Sequence, residues 1–354
     1  VWLPIRRPPV RTRRTAPFLL YISIFYIKSY TISMLFTKTI PSLLIFFLVS
    51  CGGGGGSSDT STSNPTPPPS TVITESCVQY GSNTKKCTLT HKALERYYII
   101  YVPESGVSEA SMPVLFALHG YGSTAEIHKN YTNYQPLAET SKFIVIYPQG
   151  SYFQGTFTSG NHWNVGSWTA GSTADDVDFI NEVIDLVSKK ESINQNRIYS
   201  SGMSNGGFMS YHLACNLSSR IAAIASVTGS MSKETLENCS PSHPTPILQI
   251  HGALDVTVPF NGDSTINMES IDNVFNYWTT YNSCDPIPSL IVTDYVDFSV
   301  DYQKYNNCLN NVKVELYKIS SMGHTWPGKN NYGISATEEV WNFVSQFDIY
   351  GKLD

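Results

Sequence analysis

Gly202-Met203-Ser204-Asn205-Gly206 is the stretch that decides the fold. The run before it, Arg197-Ile198-Tyr199-Ser200-Ser201, reads as a buried strand. The run after it, Gly207-Phe208-Met209-Ser210-Tyr211-His212-Leu213-Ala214, reads as a helix. A Gly-x-Ser-x-Gly stretch between a strand and a helix makes a turn so sharp that only small residues fit beside the serine. The serine backbone is strained and its hydroxyl is lifted clear of the sheet. The helix N-terminus behind it favours developing negative charge. The same five residues in another setting would be a Gly/Ser-rich loop, so the surrounding sequence has to carry the reading.

Upstream, three strands are predicted at Glu95–Val102, Pro113–Leu118 and Phe143–Tyr147. Asp175–Lys190 carries apolar Val177, Ile180, Val183, Ile184 and Val187 at helical spacing, with acids in the first turn and Lys189-Lys190 at the end. Downstream, Ile221–Val227, Pro246–Ile250 and Val312–Tyr317 read as strands, and Asn273–Tyr281 and Ala336–Phe347 as helices. Continuous apolar strands separated by helices imply an α/β fold, a mainly parallel central sheet with helices on both faces. Ligands then sit at the carboxyl ends of the strands.

A serine hydroxyl needs a base, and the base needs an acid to orient it. On such a sheet the chain order is serine, acid, histidine. His324, in the turn-rich Ser320-Ser321-Met322-Gly323-His324-Thr325-Trp326-Pro327-Gly328, follows the last long strand and is the expected base. His212 lies in the elbow helix, His243 among prolines, and His251 too early to leave room for an acid. Asp255 follows the strand ending at His251-Gly252 and is the expected acid, with Asp263 in reserve. Backbone amides of Asn205 and Tyr121, the latter in His119-Gly120-Tyr121-Gly122-Ser123, are the expected oxyanion donors. Trp163, Trp326 and His119 are candidates for substrate contact, although His119 equally suits local hydrogen bonding at a strand end. Asp175 and Asp176 read as dipole partners of their helix. The chain shows no Cys-x-x-Cys or His-rich cluster, so neither a metal nor a cofactor is expected.

Residues 1–50 hold seven of the 23 Lys and Arg and none of the 28 Asp and Glu. The remainder therefore carries a net charge of −12, which argues against nucleic acid or anionic headgroups as partners. Residues 1–33 read as over-extended translation. Residues 34–50, from Met34 through an apolar run to Leu48-Val49-Ser50, read as a lipoprotein signal preceding a lipidated Cys51. Residues 51–74 read as a Gly/Ser/Thr/Pro tether, and 75–354 as the folded domain. The expected product is exported, held at an outer membrane or cell surface only through Cys51 or released to the medium, and monomeric. Six further cysteines, Cys77, Cys87, Cys215, Cys239, Cys284 and Cys308, suit disulfides in an exported chain. Six cysteines allow 15 pairings, of which neighbour with neighbour is the simplest.

Taken together, His119-Gly120, Trp163-Asn164, Asp175-Asp176-Val177, the elbow through Gly207, His251-Gly252 with Asp255, and Gly323–Gly328 resemble the polyhydroxybutyrate depolymerase-like esterases. Those esterases adjoin the feruloyl and acetylxylan esterases of carbohydrate esterase family 1. The resemblance spans Leu94 to the C-terminus. It implies an α/β-hydrolase fold, a Ser204–Asp255–His324 triad and ester hydrolysis through an acyl-enzyme. A polyester of the hydroxyalkanoate type is the first expected substrate. Feruloyl or acetyl esters on polysaccharide are the alternative, and a non-catalytic surface-binding lipoprotein is a third reading.

Overall fold

The computed structural model describes residues 74–104, 111–154 and 159–354. The expected signal, Cys51 and tether lie outside the described residues. The chain enters through three antiparallel strands, β1 (Glu75–Gly81), β2 (Thr84–His91) and β3 (Leu94–Tyr101). Then come β4 (Met112–Leu118), α1 (Ala125–Thr132), α2 (Gln135–Ser141) and β5 (Ile144–Pro148). A small hairpin follows, β6 (Ser151–Gln154) with β7 (Ser159–His162). The middle of the chain gives α3 (Asp176–Ser188), β8 (Ile193–Met203), α4 (Asn205–Asn216), β9 (Ala223–Val227), α5 (Lys233–Glu237) and β10 (Ile247–Gly252). The remainder is α6 (Ile271–Tyr281), β11 (Ser289–Asp294), β12 (Ser299–Tyr305), β13 (Val314–Ile319), α7 (Lys329–Tyr332), α8 (Ala336–Val344), β14 (Phe347–Asp348) and β15 (Gly351–Lys352).

Eleven strands form one sheet in the order β1-β2-β3-β5-β4-β8-β9-β10-β13-β12-β11. The six from β5 to β13 are parallel, and the pairings outside them are antiparallel. This is the mainly parallel α/β sheet that the apolar runs predict, in the α/β-hydrolase arrangement that the family resemblance implies. Strand side chains alternate between two cores. Val114, Phe116 and Leu118 face the layer of α3, α4 and α6, with Phe179, Phe208 and Trp278. Leu115 and Ala117 face the layer of α1, α2 and α8, with Ala125, Ala138 and Trp341. Because β4, β5, β9 and β10 are buried on every residue, they are written as largely apolar runs, interrupted only by Ser226 in β9 and by Gln249 and His251 in β10.

Three disulfides join neighbours in sequence: Cys77–Cys87, Cys215–Cys239 and Cys284–Cys308. The latter two each close a loop of 24 residues, worth roughly 3 kcal/mol in the chain-entropy account. Cys215 lies in the last turn of α4, so its disulfide ties the elbow helix to the segment after α5. The closing helix is shorter than expected. It stops at Val344, and Phe347 belongs to β14. Ser270 caps α6 by accepting the Asn273 amide. Among the described residues, no helix is long and apolar enough to cross a membrane.

Candidate active site

Ser204 sits between β8 and α4 with φ 54° and ψ −123°, a backbone that non-glycine residues rarely adopt. The turn closes only because its flanks lack side chains. A Cβ on Gly202 would run into the Gly206 backbone, and one on Gly206 into the Leu118 carbonyl. Ser204 N–H donates to Val227 O at 2.9 Å, anchoring the turn to β9. Asn205 opens α4, so its N–H belongs to the first-turn donors that no intrahelical carbonyl satisfies.

The expected acid and base are brought into contact. β10 and β13 are parallel neighbours, and their following loops interlock through Leu254 N–H donating to Met322 O at 2.9 Å. His324 Nδ1 lies 2.8 Å from Asp255 Oδ2. Asp255 Oδ1 accepts the amides of Thr257 and Val258, each at 2.9 Å. Burial by itself would raise the Asp255 carboxyl. The bonds from His324, Val258 and Thr257 outweigh it and hold the carboxyl below its usual range. A charged Asp255 fixes the proton on His324 Nδ1 and leaves the lone pair on Nε2, the tautomer a general base requires. His251, at the end of β10, ties the acid loop down by donating from Nε2 to Val258 O at 2.8 Å. Gln249 lies 2.9 Å from its Nδ1, and Tyr211 donates to Gln249 Oε1 at 2.9 Å. Asp263, the reserve acid, instead caps a short turn through Thr265. His212 meets Thr235 Oγ1 and His243 the Ser218 carbonyl, away from the acid.

The remaining motif residues converge beneath the elbow. Asn205 and Trp163 exchange two hydrogen bonds: Trp163 N–H to Asn205 Oδ1 at 2.7 Å, and Asn205 Nδ2 to Trp163 O at 3.1 Å. The Trp163 indole donates to His119 O at 2.9 Å. His119 Nε2 accepts Gly150 N–H at 2.9 Å, so its proton is on Nδ1, which donates to Gly120 O at 2.8 Å. Burial pulls the His119 pKa down to about 4, which keeps it neutral. Asn164 N–H donates to Asp176 Oδ2 at 2.7 Å, and Arg96 holds Asp176 Oδ1 at 2.7 Å and Gln149 O at 3.0 Å. His119, Trp163 and Asn205 are completely buried.

Two expectations therefore change. His119 and Trp163 do not line a cleft; they support the loop carrying Gly120 and Tyr121. Trp326 is 8% exposed, packs edge-on against His128 and Tyr134, and donates its indole to Thr337 Oγ1 at 3.1 Å. It anchors the base loop from inside. Asp176 is more than a dipole partner, since it forms a buried ion pair with Arg96. Tyr121 lies edge-on to Trp168, on the loop whose Gly120 faces Ser204. Sequence reading missed Tyr131, on the last turn of α1. Its hydroxyl accepts Trp326 N–H at 3.0 Å and lies 2.9 Å from Thr325 Oγ1, clamping the loop around His324. A lone tyrosine 195 residues from its partner gives no sequence signal.

Residues 104–277 match the family model described as phospholipase/carboxylesterase. Feruloyl esterase B of Piromyces equi is 29% identical over 263 residues, covering 72% of this chain and 46% of that protein. The bifunctional acetylxylan esterase/xylanase XynS20E of Neocallimastix patriciarum is 24% identical over 257 residues, covering 72% and 34%. Poly(3-hydroxyalkanoate) depolymerase C of Paucimonas lemoignei is 27% identical over 246 residues, covering 62% and 56%. The chain thus spans less than half the length of the first two relatives. By its sheet and its elbow the chain has the α/β-hydrolase fold, and over residues 104–277 it resembles the phospholipase/carboxylesterase family.

Proposed function

We propose that this chain is a serine esterase that releases feruloyl or acetyl groups from polysaccharide. In this reading Ser204 Oγ attacks the ester carbonyl while its proton passes to His324 Nε2. Asn205 and Tyr121 amides hold the oxyanion. The protonated His324 then delivers that proton to the departing sugar oxygen as the tetrahedral intermediate collapses to the acyl-enzyme. Water, deprotonated by His324, releases the acid and restores Ser204. The Asp255–His324 hydrogen bond is the observation that carries the proposal, because it sets the tautomer without which the serine stays inert.

The acyl class draws support from the feruloyl and acetylxylan esterases, which match more of this chain than the polyester depolymerase does. Polyester cleavage, the first expectation from sequence, becomes the second reading, supported by the motif resemblance and by that depolymerase. Three disulfides favour an oxidising compartment. Attachment through Cys51 is proposed on the sequence signal only.

Ser204→Ala should lower kcat on methyl ferulate or acetylated xylan by on the order of 10⁴–10⁶. Near-normal turnover by that variant would remove Ser204 from the mechanism. Clearing of polyhydroxybutyrate emulsion without release of ferulate or acetate would reverse the choice of substrate.

A further inference from the structure

A groove of about 520 Å³ lies between α5 and α6, apart from the residues of the triad. Its wall on α6 carries Tyr277 and Tyr281 one helical turn apart, with ring planes within 13° of each other and centroids 6.0 Å apart. Both rings are fixed by their hydroxyls. Tyr277 donates to Cys239 O at 2.9 Å and Tyr281 to Pro241 O at 2.6 Å. Those carbonyls belong to the segment that the Cys215–Cys239 disulfide holds against α4. Beside the rings stand Asn273 and Asn276, both exposed, and the carboxylates of Glu237 and Glu269. Asn273 Nδ2 donates to Glu269 Oε2 at 2.9 Å, which fixes the amide beside that carboxylate.

We infer that this groove binds a neutral polysaccharide chain. A pyranose ring has an apolar C–H face and a rim of hydroxyls. Fixed aromatic rings offer the electron-rich faces that C–H groups seek. Side-chain amides and carboxylates offer donors and acceptors to hydroxyls. The two glutamates repel an anionic polymer, as does the net charge of the chain beyond residue 50. The groove also points the right way. Glu269 N–H donates to Met231 O at 3.0 Å and Ser230 Oγ donates to Glu269 O at 2.6 Å, so one end meets the segment after β9, the strand beside the elbow. The other end lies where Asn282 binds Thr245, ahead of β10. A polymer in the groove therefore runs up the side of the sheet toward the edge that presents Ser204. This inference rests on the reading of a polysaccharide ester as substrate.

The test is native electrophoresis of the full chain carrying Ser204→Ala, in gels containing soluble arabinoxylan, hydroxyethylcellulose or polygalacturonate. Retardation is expected in at least one neutral polymer and not in polygalacturonate. On the same background Asn276→Arg, at an exposed position, should abolish the retardation, and Asn273→Ala should weaken it. Circular dichroism melting checks that each variant is folded. Free migration of the Ser204→Ala chain in both neutral polymers overturns the inference. So does retardation that survives Asn276→Arg, or equal retardation in polygalacturonate. If the unmodified chain releases ferulate or acetate but is not retarded, the groove fails and the proposed activity stands. Retardation without such release sinks the activity and leaves the groove.

Discussion

The two halves of the site are held in different ways. Beneath the elbow, His119, Trp163, Asn205 and the Arg96–Asp176 pair are buried and joined by hydrogen bonds to their surroundings. Across the sheet, Asp255 is buried, but the His324 side chain is 21% exposed and its loop is clamped on the outside by Tyr131, itself 48% exposed. The difference follows the chemistry each half would perform. Oxyanion donors stabilise charge best when they need no rearrangement at the moment of reaction. A base that takes a proton from one oxygen and hands it to another needs a fixed tautomer and a little freedom of its ring.

Asp255→Asn attacks the more exposed half at its root and should have the largest effect. It would favour the wrong tautomer of His324, lowering kcat about 10⁴-fold with the fold intact. Ester kinetics beside a melting curve will show it, and a loss below tenfold would mean that Asp255 does not orient the base. Asp176→Ala attacks the rigid half. It strands the Arg96 guanidinium in the interior and should cost about 3–5 kcal/mol in urea unfolding. A cost under about 1 kcal/mol would show that water already reaches the pair.

Acid should loosen the rigid half as well. His119 has a folded pKa of about 4 against 6.5 when unfolded, so the unfolded chain takes up the proton first. Its contribution is complete above pH 6.5 and is lost as pH falls toward 4, by about 3 kcal/mol in all. His119→Gln should flatten the dependence of the urea midpoint on pH across that window; an unchanged slope would assign the acid lability to other groups. Tyr131→Phe should be the mildest change. It removes one acceptor for Trp326 N–H, and kcat should fall less than about tenfold while KM holds. A change in KM with kcat intact would move Tyr131 from holding the base loop to holding the substrate.

Sequence reading reached the elements that are buried on both faces and the site residues that follow them in a required order. It missed β2, whose buried Cys87, Leu89 and His91 keep a two-residue period that buried Thr84 breaks and that small and polar side chains hide. It also missed β11, which is exposed throughout. The pairing of Ser204, Asp255 and His324 with strand ends was legible because chain order constrains it. The support beneath the elbow was not, because Arg96 and Asp176 meet across 80 residues and an aspartate in a first helical turn has a simpler explanation. Burial also reversed the expected direction of Trp163, since an aromatic beside an active site looks the same in sequence whether it faces substrate or core.

The Cys77–Cys87 disulfide has a mechanical consequence. β1 is the outermost strand and the first to be reached by any pull transmitted along the chain from before Glu75. An edge strand held only by its ladder would peel away one hydrogen-bonded pair at a time under such a pull. The covalent link joins Cys77 and Cys87 directly across the ladder, so peeling stops at the second residue after Glu75 and the load passes into β2 and β3. A pull on the chain ahead of Glu75 would thus load the sheet edge farthest from β11, several strands away from Asp255 and His324.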